Sequence, residues 1–436
     1  MRIRRQILND ALTLAALFFA TGALHTFIVD PSNSLSATNG SALIQILWLI
    51  IYGAEAVRLI PRYRQIIMLV RANKCLMLLV LLAVFSALWS EDPSLTLRHG
   101  LPLLATTFIG IDFAIRYSVR DQLRMVYIVL GLVVLLGIVA QLFFPQLVPN
   151  GDFNRGDWHG VLGFKNDWAR IVVLATVAAL CRSRRSLRDL LVIASLVLVA
   201  FGLIALAHSV GALVIFVVML LLFKIFGAAL RWRPKILVVA GLAGALIVLP
   251  MSYLLAQNLD RATAVLGRDA SLSGRVNIWE LALSSIANSP VLGYGYSAFW
   301  EASSQRATRI REEMHWAVPH AHNGYVDMTL ELGLTGLSLL IASYVIAARR
   351  AFDCWKRGAE RETIWPLAYL SFFFLYQFTE GSLVTGNLIF WILYVAVSFS
   401  VTRVTATDPK SDRQFIAPMQ MLPLDQGTVI TAHTTG

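Results

Sequence analysis

Apolar residues along this chain arrive in long unbroken runs, not in the one-sided stripes of a soluble helix. About twelve windows are long enough to cross a hydrocarbon core of roughly 30 Å. They fall near residues 10–29, 41–57, 75–90, 99–116, 125–144, 163–181, 189–207, 209–226, 236–256, 326–348, 363–379 and 385–402. The pattern predicts an all-α, polytopic membrane protein. The seventh and eighth windows are separated by almost nothing. The first lacks a small-x-small exit before Asp30-Pro31 and is followed by further spans, so it reads as a span and not a cleaved signal.

One interruption is long. Residues 257–325 join the ninth and tenth windows and keep a helical pattern. Val276, Trp279, Leu283 and Ile286 share one face over 276–288, and 298–314 places Arg306, Arg309 and Glu313 on a polar side. Asn288-Ser289-Pro290 and Gly293-Tyr294-Gly295 mark turns between them. A small helical cap on the membrane surface is expected. Residues 1–403 form one membrane domain, and 404–436, polar and aperiodic, are expected to be a disordered cytoplasmic tail.

Charge sets the orientation. The chain is 57% hydrophobic and only 14% charged, with a net charge of +11. With both termini inside, 27 of the 37 lysines and arginines lie on inner segments, as the positive-inside rule requires. That excess is topology and calls for no nucleic-acid partner. The rest, Arg98, Arg155, Lys165, Arg170, Arg261, Arg268, Arg275, Arg306, Arg309 and Arg311, lie outside, against the bias, where they offer an anion site. Arg306, Arg309 and Arg311 read most simply as a solvated helix face. Cys75, Cys181 and Cys354 sit near inner ends of spans, so no disulfide is expected, and no cysteine-histidine spacing suggests a structural metal.

The polar residues that break the pattern gather at the outer mouth. His322-Asn323 precedes an apolar span that contains Gly333-Leu334-Thr335-Gly336. Two polar side chains there are costly unless they bind or react. Upstream stand Ser273-Gly274-Arg275, Ile278-Trp279 and Pro290-Val291-Leu292-Gly293-Tyr294-Gly295. Gly160 to Lys165-Asn166 opens another span, Leu88 to Pro93 forms a polar turn, and Thr379-Glu380 lies on the outer side near the end of the eleventh span. In this order the motifs resemble those of the bacterial O-antigen ligase and polymerase superfamily, over roughly residues 75–400. Leu266-Gly267-Arg268-Asp269 leading into Ser273 is most similar to exopolysaccharide polymerases of the succinoglycan type. Two departures stand out. Phe164 replaces a common histidine, and Val210 follows Ser209 where a basic residue is common; Lys165, Arg170 or His208 could supply the absent cation.

The resemblance implies a glycosyltransferase in the bacterial inner membrane, with its site facing the periplasm. The donor would be a glycan on a polyprenyl diphosphate, and the acceptor a hydroxyl of another lipid-linked saccharide. A chain-length regulator and a flippase would be partners. No nucleotide, metal or other cofactor is expected: there is no Asp-x-Asp pair and no phosphate-cradling glycine loop. Such a transfer needs a base for the acceptor hydroxyl and a cation for the leaving diphosphate. His322 suits the first and Arg275, with its planar fork, the second. His320 is an alternative base. Lys165, Asn166, Arg170, Asn323, Trp279, His320 and Glu380 are the candidate substrate contacts. Glu380 can orient His322, pair with an arginine or act as a cap. The blander reading of Arg275 is a helix-terminal residue, and that of Gly333 and Gly336 is close packing. Motifs alone leave three activities open: polymerisation of repeat units, ligation of finished glycan to lipid A core, and transport by a flippase.

Overall fold

The structure is a computed structural model that describes residues 2–28, 41–148, 156–183, 186–229, 273–358, 360–381 and 383–406. The ninth expected span, the Leu266–Asp269 motif, the first part of the long loop and the polar tail lie outside the described residues.

Among the described residues every regular element is helical. They run α1 (Arg2–Phe19), α2 (Ala42–Leu59), α3 (Tyr63–Ala72), α4 (Lys74–Phe85), α5 (Pro93–Arg116), α6 (Val119–Phe143), α7 (Lys165–Cys181), α8 (Leu187–Leu206) and α9 (Val210–Ala229). After the undescribed stretch follow α10 (Ser273–Asn288), α11 (Gln305–Met314), α12 (Gly324–Arg357), α13 (Trp365–Tyr376) and α14 (Ile389–Ala406). The starts are written locally. Asp92 accepts from Leu95 N–H and Pro93 opens α5; Ser118 caps α6; Ser186 and Asp189 form a reciprocal capping box on α8.

Four stretches are long and apolar enough to cross a membrane: Ala42–Ala72, Val119–Phe143, Leu187–Leu206 and Gly324–Arg357. Shorter apolar helices accompany them, so this is a multi-pass membrane protein. The narrow division between the seventh and eighth windows is a real turn, where His208 takes a left-handed φ of 48°. The expected helix over 298–314 is shorter than its pattern. Residues 298–304 are turns, and α11 starts only where Ser304 caps Ala307 N–H.

α14 is the centre of the bundle, with every residue from Ile389 to Val401 buried. It lies against α5 at Gly110, where a Cβ would meet Val395 Cβ at 2.7 Å and Ile392 O at 2.8 Å.

α12 positions the cap. It is two helices joined across Gly333, whose φ of 64° and ψ of −169° are not helical. Such a break strands backbone groups on both sides. The loop 290–295 satisfies them. Tyr294 N–H donates to Leu330 O and Gly295 N–H to Glu331 O, each at 2.9 Å. Leu334 N–H donates to Pro290 O at 2.7 Å and Thr335 N–H to Val291 O at 3.2 Å. A further clamp ties the cap to the α4–α5 turn: Arg306 pairs with Glu91 and lies 4.4 Å over the Tyr294 ring, and Trp89 donates to Leu292 O. Arg306 is thus a clamp that stays on the solvated face of α11, its side chain 43% exposed. Arg311 likewise turns inward, donating to the carbonyls of Val318, Glu301 and Trp300.

Candidate active site

The His322-Asn323 segment is held from four directions. Asn323 Oδ1 accepts from Tyr325 N–H and Val326 N–H, so this side chain caps α12. Gly324 N–H donates to Gln377 O at 2.7 Å. The Trp279 indole N–H donates to Ala321 O at 2.8 Å, and Ala321 N–H donates to Asp327 Oδ1 at 2.9 Å. Asp327 Oδ1 also accepts from the Trp300 indole at 2.8 Å. His322 itself has a φ of 51°, a conformation that costs a non-glycine residue about 1–3 kcal/mol and persists only where the surroundings over-determine it.

The imidazole thus fixed faces Glu380. His322 Nδ1 lies 3.7 Å from Glu380 Oε2, and both side chains are nearly buried. That distance is an electrostatic pairing, longer than a hydrogen bond. Burial would raise the Glu380 carboxyl. His322, then Arg275 and His320, overcome it and hold the carboxyl below its ordinary range. Glu380 is accordingly anionic at neutral pH.

The His320 ring packs against that of His322 at a 4.2 Å centroid distance and a 57° tilt, and its Nδ1 accepts the His322 backbone N–H at 3.1 Å. That bond places the proton of the neutral ring on Nε2. Burial first, then the neighbouring His322, push His320 down to about 4, so it is uncharged at neutral pH.

Arg275, in the first turn of α10, donates to Thr379 O at 3.2 Å, one residue before Glu380. Burial lowers the guanidinium and Glu380 opposes that shift. Arg170 is 9% exposed; it pairs with Asp167 and lies 4.5 Å over the Phe390 ring.

Lys165 and Asn166 belong to an adjoining polar cluster. Lys165 Nζ lies 2.9 Å and His208 Nδ1 2.7 Å from the Asp157 carboxylate, while Ser209 Oγ donates to Asn166 Oδ1. The cluster borders the first group at Gly211, whose Cβ would stand 3.3 Å from Thr379 Cβ.

The structure therefore brings His322, His320, Glu380 and Arg275 together, with Trp279 behind them as a backbone support and Arg170 beside them. It separates Lys165 and Asn166 into a neighbouring group whose charge Asp157 already offsets. Sequence reasoning overlooked Asp327, Asp157 and Gln377. Asp327 had a usable signal, a carboxylate one turn inside an apolar span. Asp157 and Gln377 had none.

His320, His322 and Glu380 offer ligand atoms within 4.8 Å of one another, a set that could approach a divalent ion. Against this, the Arg275 guanidinium acts electrostatically on the same carboxylate, and a dication would meet its repulsion.

Fold and site together define a helical membrane protein with a histidine–carboxylate–arginine centre at one mouth of the bundle. Residues 194–341 match the family model described as O-antigen ligase, so the resemblance carried by the Arg275 and His322-Asn323 motifs holds. The match runs from α8 into α12, past its break at Gly333. Among similar proteins, the exopolysaccharide production protein ExoQ of Rhizobium meliloti is 31% identical over 118 residues, 26% of this chain and 27% of the relative. A candidate polysaccharide ligase of Rickettsia typhi is 29% identical over 139 residues, 30% of this chain and 31% of the relative. Another from Rickettsia felis is 26% identical over 178 residues, 40% of this chain and 41% of the relative. The matched stretches therefore span less than half the length of these relatives.

Proposed function

We propose that this protein is a membrane glycosyltransferase that polymerises polyprenyl-diphosphate-linked oligosaccharide units into polysaccharide, at the periplasmic face of the inner membrane. One observation carries the reading: a base, its carboxylate partner and a guanidinium converge where the cap meets the apolar bundle. The chain also resembles, over a quarter of its length, a relative named for exopolysaccharide production.

In this mechanism the acceptor hydroxyl loses its proton to His322 as its oxygen attacks the donor sugar C1. The C1–O bond to the diphosphate breaks, and polyprenyl diphosphate departs with the bonding electrons. Nδ1 of His322 faces Glu380, which leaves Nε2 for the hydroxyl proton. Glu380 stabilises the imidazolium that forms. Arg275 meets the charge growing on the departing diphosphate, and preorganised charge of this kind is often the largest catalytic term. Arg170 adds positive potential, and the apolar helices below accommodate the prenyl chain. The reaction draws on the donor's own phosphate ester and uses no metal.

The second reading is ligation of a finished glycan to lipid A core, which the names of the rickettsial relatives favour. A strain lacking the protein separates the two. Single repeat units on the carrier are expected to accumulate if it polymerises; long polymer left unattached would mean that it ligates. Unchanged polymer and unchanged carrier-linked intermediates would exclude both.

A further inference from the structure

The cap carries tryptophans at 279, 300 and 316. Two of them are tied into the scaffold. The Trp279 indole N–H holds the Ala321 carbonyl, the Trp300 indole N–H holds Asp327, and both side chains are half-buried. Trp316 is different. Its side chain is 41% exposed, and among the described residues its indole N–H makes no such bond. Its ring centroid lies 6.3 Å from that of His322, at a 33° tilt, inside the roughly 4.5–7 Å over which aromatic rings interact.

The turn that presents this ring is braced on both sides. His315, which ends α11, takes a left-handed φ of 59°. Val318 N–H donates to Trp316 O at 2.9 Å. Val318 is itself fully buried, and its carbonyl accepts from Arg311 Nε at 3.1 Å. The indole therefore has a set position beside the imidazole, six residues before it in the chain.

A tryptophan at the rim of a membrane protein commonly anchors it in the headgroup layer. The surroundings of Trp316 do not suit an anchor. The exposed residues beside it in the chain are Glu312, Glu313, His315, Ala317 and Pro319. A ring inserted into lipid would draw two carboxylates toward the bilayer with it. A broad aromatic face left open to water next to a base suits a saccharide instead. One face of a pyranose presents several C–H groups with slight positive charge, and the indole face carries the negative lobe of its quadrupole. Such stacking leaves the sugar's hydroxyls free for the chemistry.

We infer that the Trp316 ring stacks on the terminal pyranose of the acceptor and so helps to set which sugar the site accepts. The acceptor is the substrate whose hydroxyl gives its proton to the neighbouring His322, whereas Arg275 on α10 meets the donor's diphosphate. Calling this sugar the acceptor rests on the glycosyl transfer reading; the docking of a saccharide face on Trp316 does not.

The test uses the full-length protein in detergent. Carrier-linked oligosaccharide from the host membrane serves as donor. The same oligosaccharide released from its carrier has no diphosphate to lose and serves only as acceptor. Trp316→Ala is expected to raise the acceptor KM about tenfold, the upper end of what an aromatic contact contributes, with kcat and the donor KM near their wild-type values. Trp316→Leu, apolar but without a π face, should resemble alanine, and Trp316→Phe should recover most of the affinity. Binding is followed separately from turnover: the released oligosaccharide should quench indole fluorescence in the wild type and quench it less in Trp316→Phe. An unchanged acceptor KM in Trp316→Ala, or equal quenching in Trp316→Phe and wild type, overturns the inference. A fall in kcat alone overturns it as well, because Trp316 would then act only by supporting His322. A rise confined to the donor KM overturns the acceptor assignment. Quenching that depends on Trp316 in a wild type that transfers nothing would sink the glycosyl transfer reading and leave the sugar contact standing.

Discussion

His322 Nδ1 lies 3.7 Å from Glu380 Oε2, although 58 positions separate the two in the chain. The carboxylate is held ionised by the cations around it, and the imidazole is held by its backbone. If this pair moves the acceptor proton, His322→Ala removes the base and should lower turnover by about 10²–10⁴-fold. Glu380→Gln keeps the shape and removes the charge; a loss of about 10²-fold is expected, at the low end of that range. Both are read as turnover of purified protein on carrier-linked oligosaccharide. Wild-type rates in either variant would remove the pair from the mechanism.

Arg275 is tested by Arg275→Lys. Lysine keeps one positive charge and loses the bidentate geometry, so a substitution conservative in charge should still cost at least about tenfold in turnover. Full activity in this variant would mean that Arg275 serves only to hold the Thr379 carbonyl.

His320 makes the protein acid-sensitive in a defined window. Its ordinary value of 6.5 is pushed down to about 4 by burial and by His322. Above pH 6.5 neither folded nor unfolded chain carries the proton. Between 6.5 and 4 only the unfolded chain takes it up, so stability falls with pH, by about 3 kcal/mol at the bottom of the window. Glu380, also depressed, contributes stability at higher pH that is lost only below its ordinary 4.5. His320→Asn keeps an acceptor for His322 N–H and abolishes the titration. The unfolding midpoint of this variant should drop less between pH 6.5 and 4.5 than that of the wild type; identical slopes would assign the acid loss elsewhere.

Gly333→Ala should be severely destabilising. A left-handed residue with a side chain costs about 1–3 kcal/mol by itself. Its Cβ would also stand 2.2 Å from Val291 O and 2.5 Å from Leu292 N, both backbone atoms that cannot swing aside. Gly202→Ala, in α8 with nothing within 4 Å of the new atom, is the control and should leave the unfolding midpoint unchanged or slightly raised.

Chelation tests the metal-free scheme. Because the positive charge of Arg275 acts on Glu380 and would repel a dication there, turnover in EDTA should match that in buffer. Loss of activity in EDTA, restored by magnesium, would instead make His320, His322 and Glu380 a ligand set.

How much of this was legible in the sequence depends on what each residue's role requires. Arg275, His322 and Glu380 stood out as candidates because charged and ionisable groups beside apolar spans are expensive wherever the chain folds, and the fold brings the three together. The helices that cross the membrane follow from composition alone. The roles of Asn323 and Trp279 were not legible as they stand, because a cap and a backbone support look like substrate contacts until the partner amide and carbonyl are seen. Lys165 read as a free cation because Asp157, eight residues earlier, is brought to it only by folding. The helix expected over 298–314 failed at its first half: the hydrophobic spacing was there, but the chain turns through 298–304 to reach the Ser304 cap.

A helix interrupted at glycine is commonly a hinge. In α12 both stumps are stitched to the same six-residue loop, so the interruption behaves as a rigid elbow. Any tilt that bilayer thickness imposes on the long lower limb must then be transmitted to the upper limb and the histidine at its tip. The lipid composition of the host membrane becomes an input to the geometry of the proposed site, with no dedicated sensor in between.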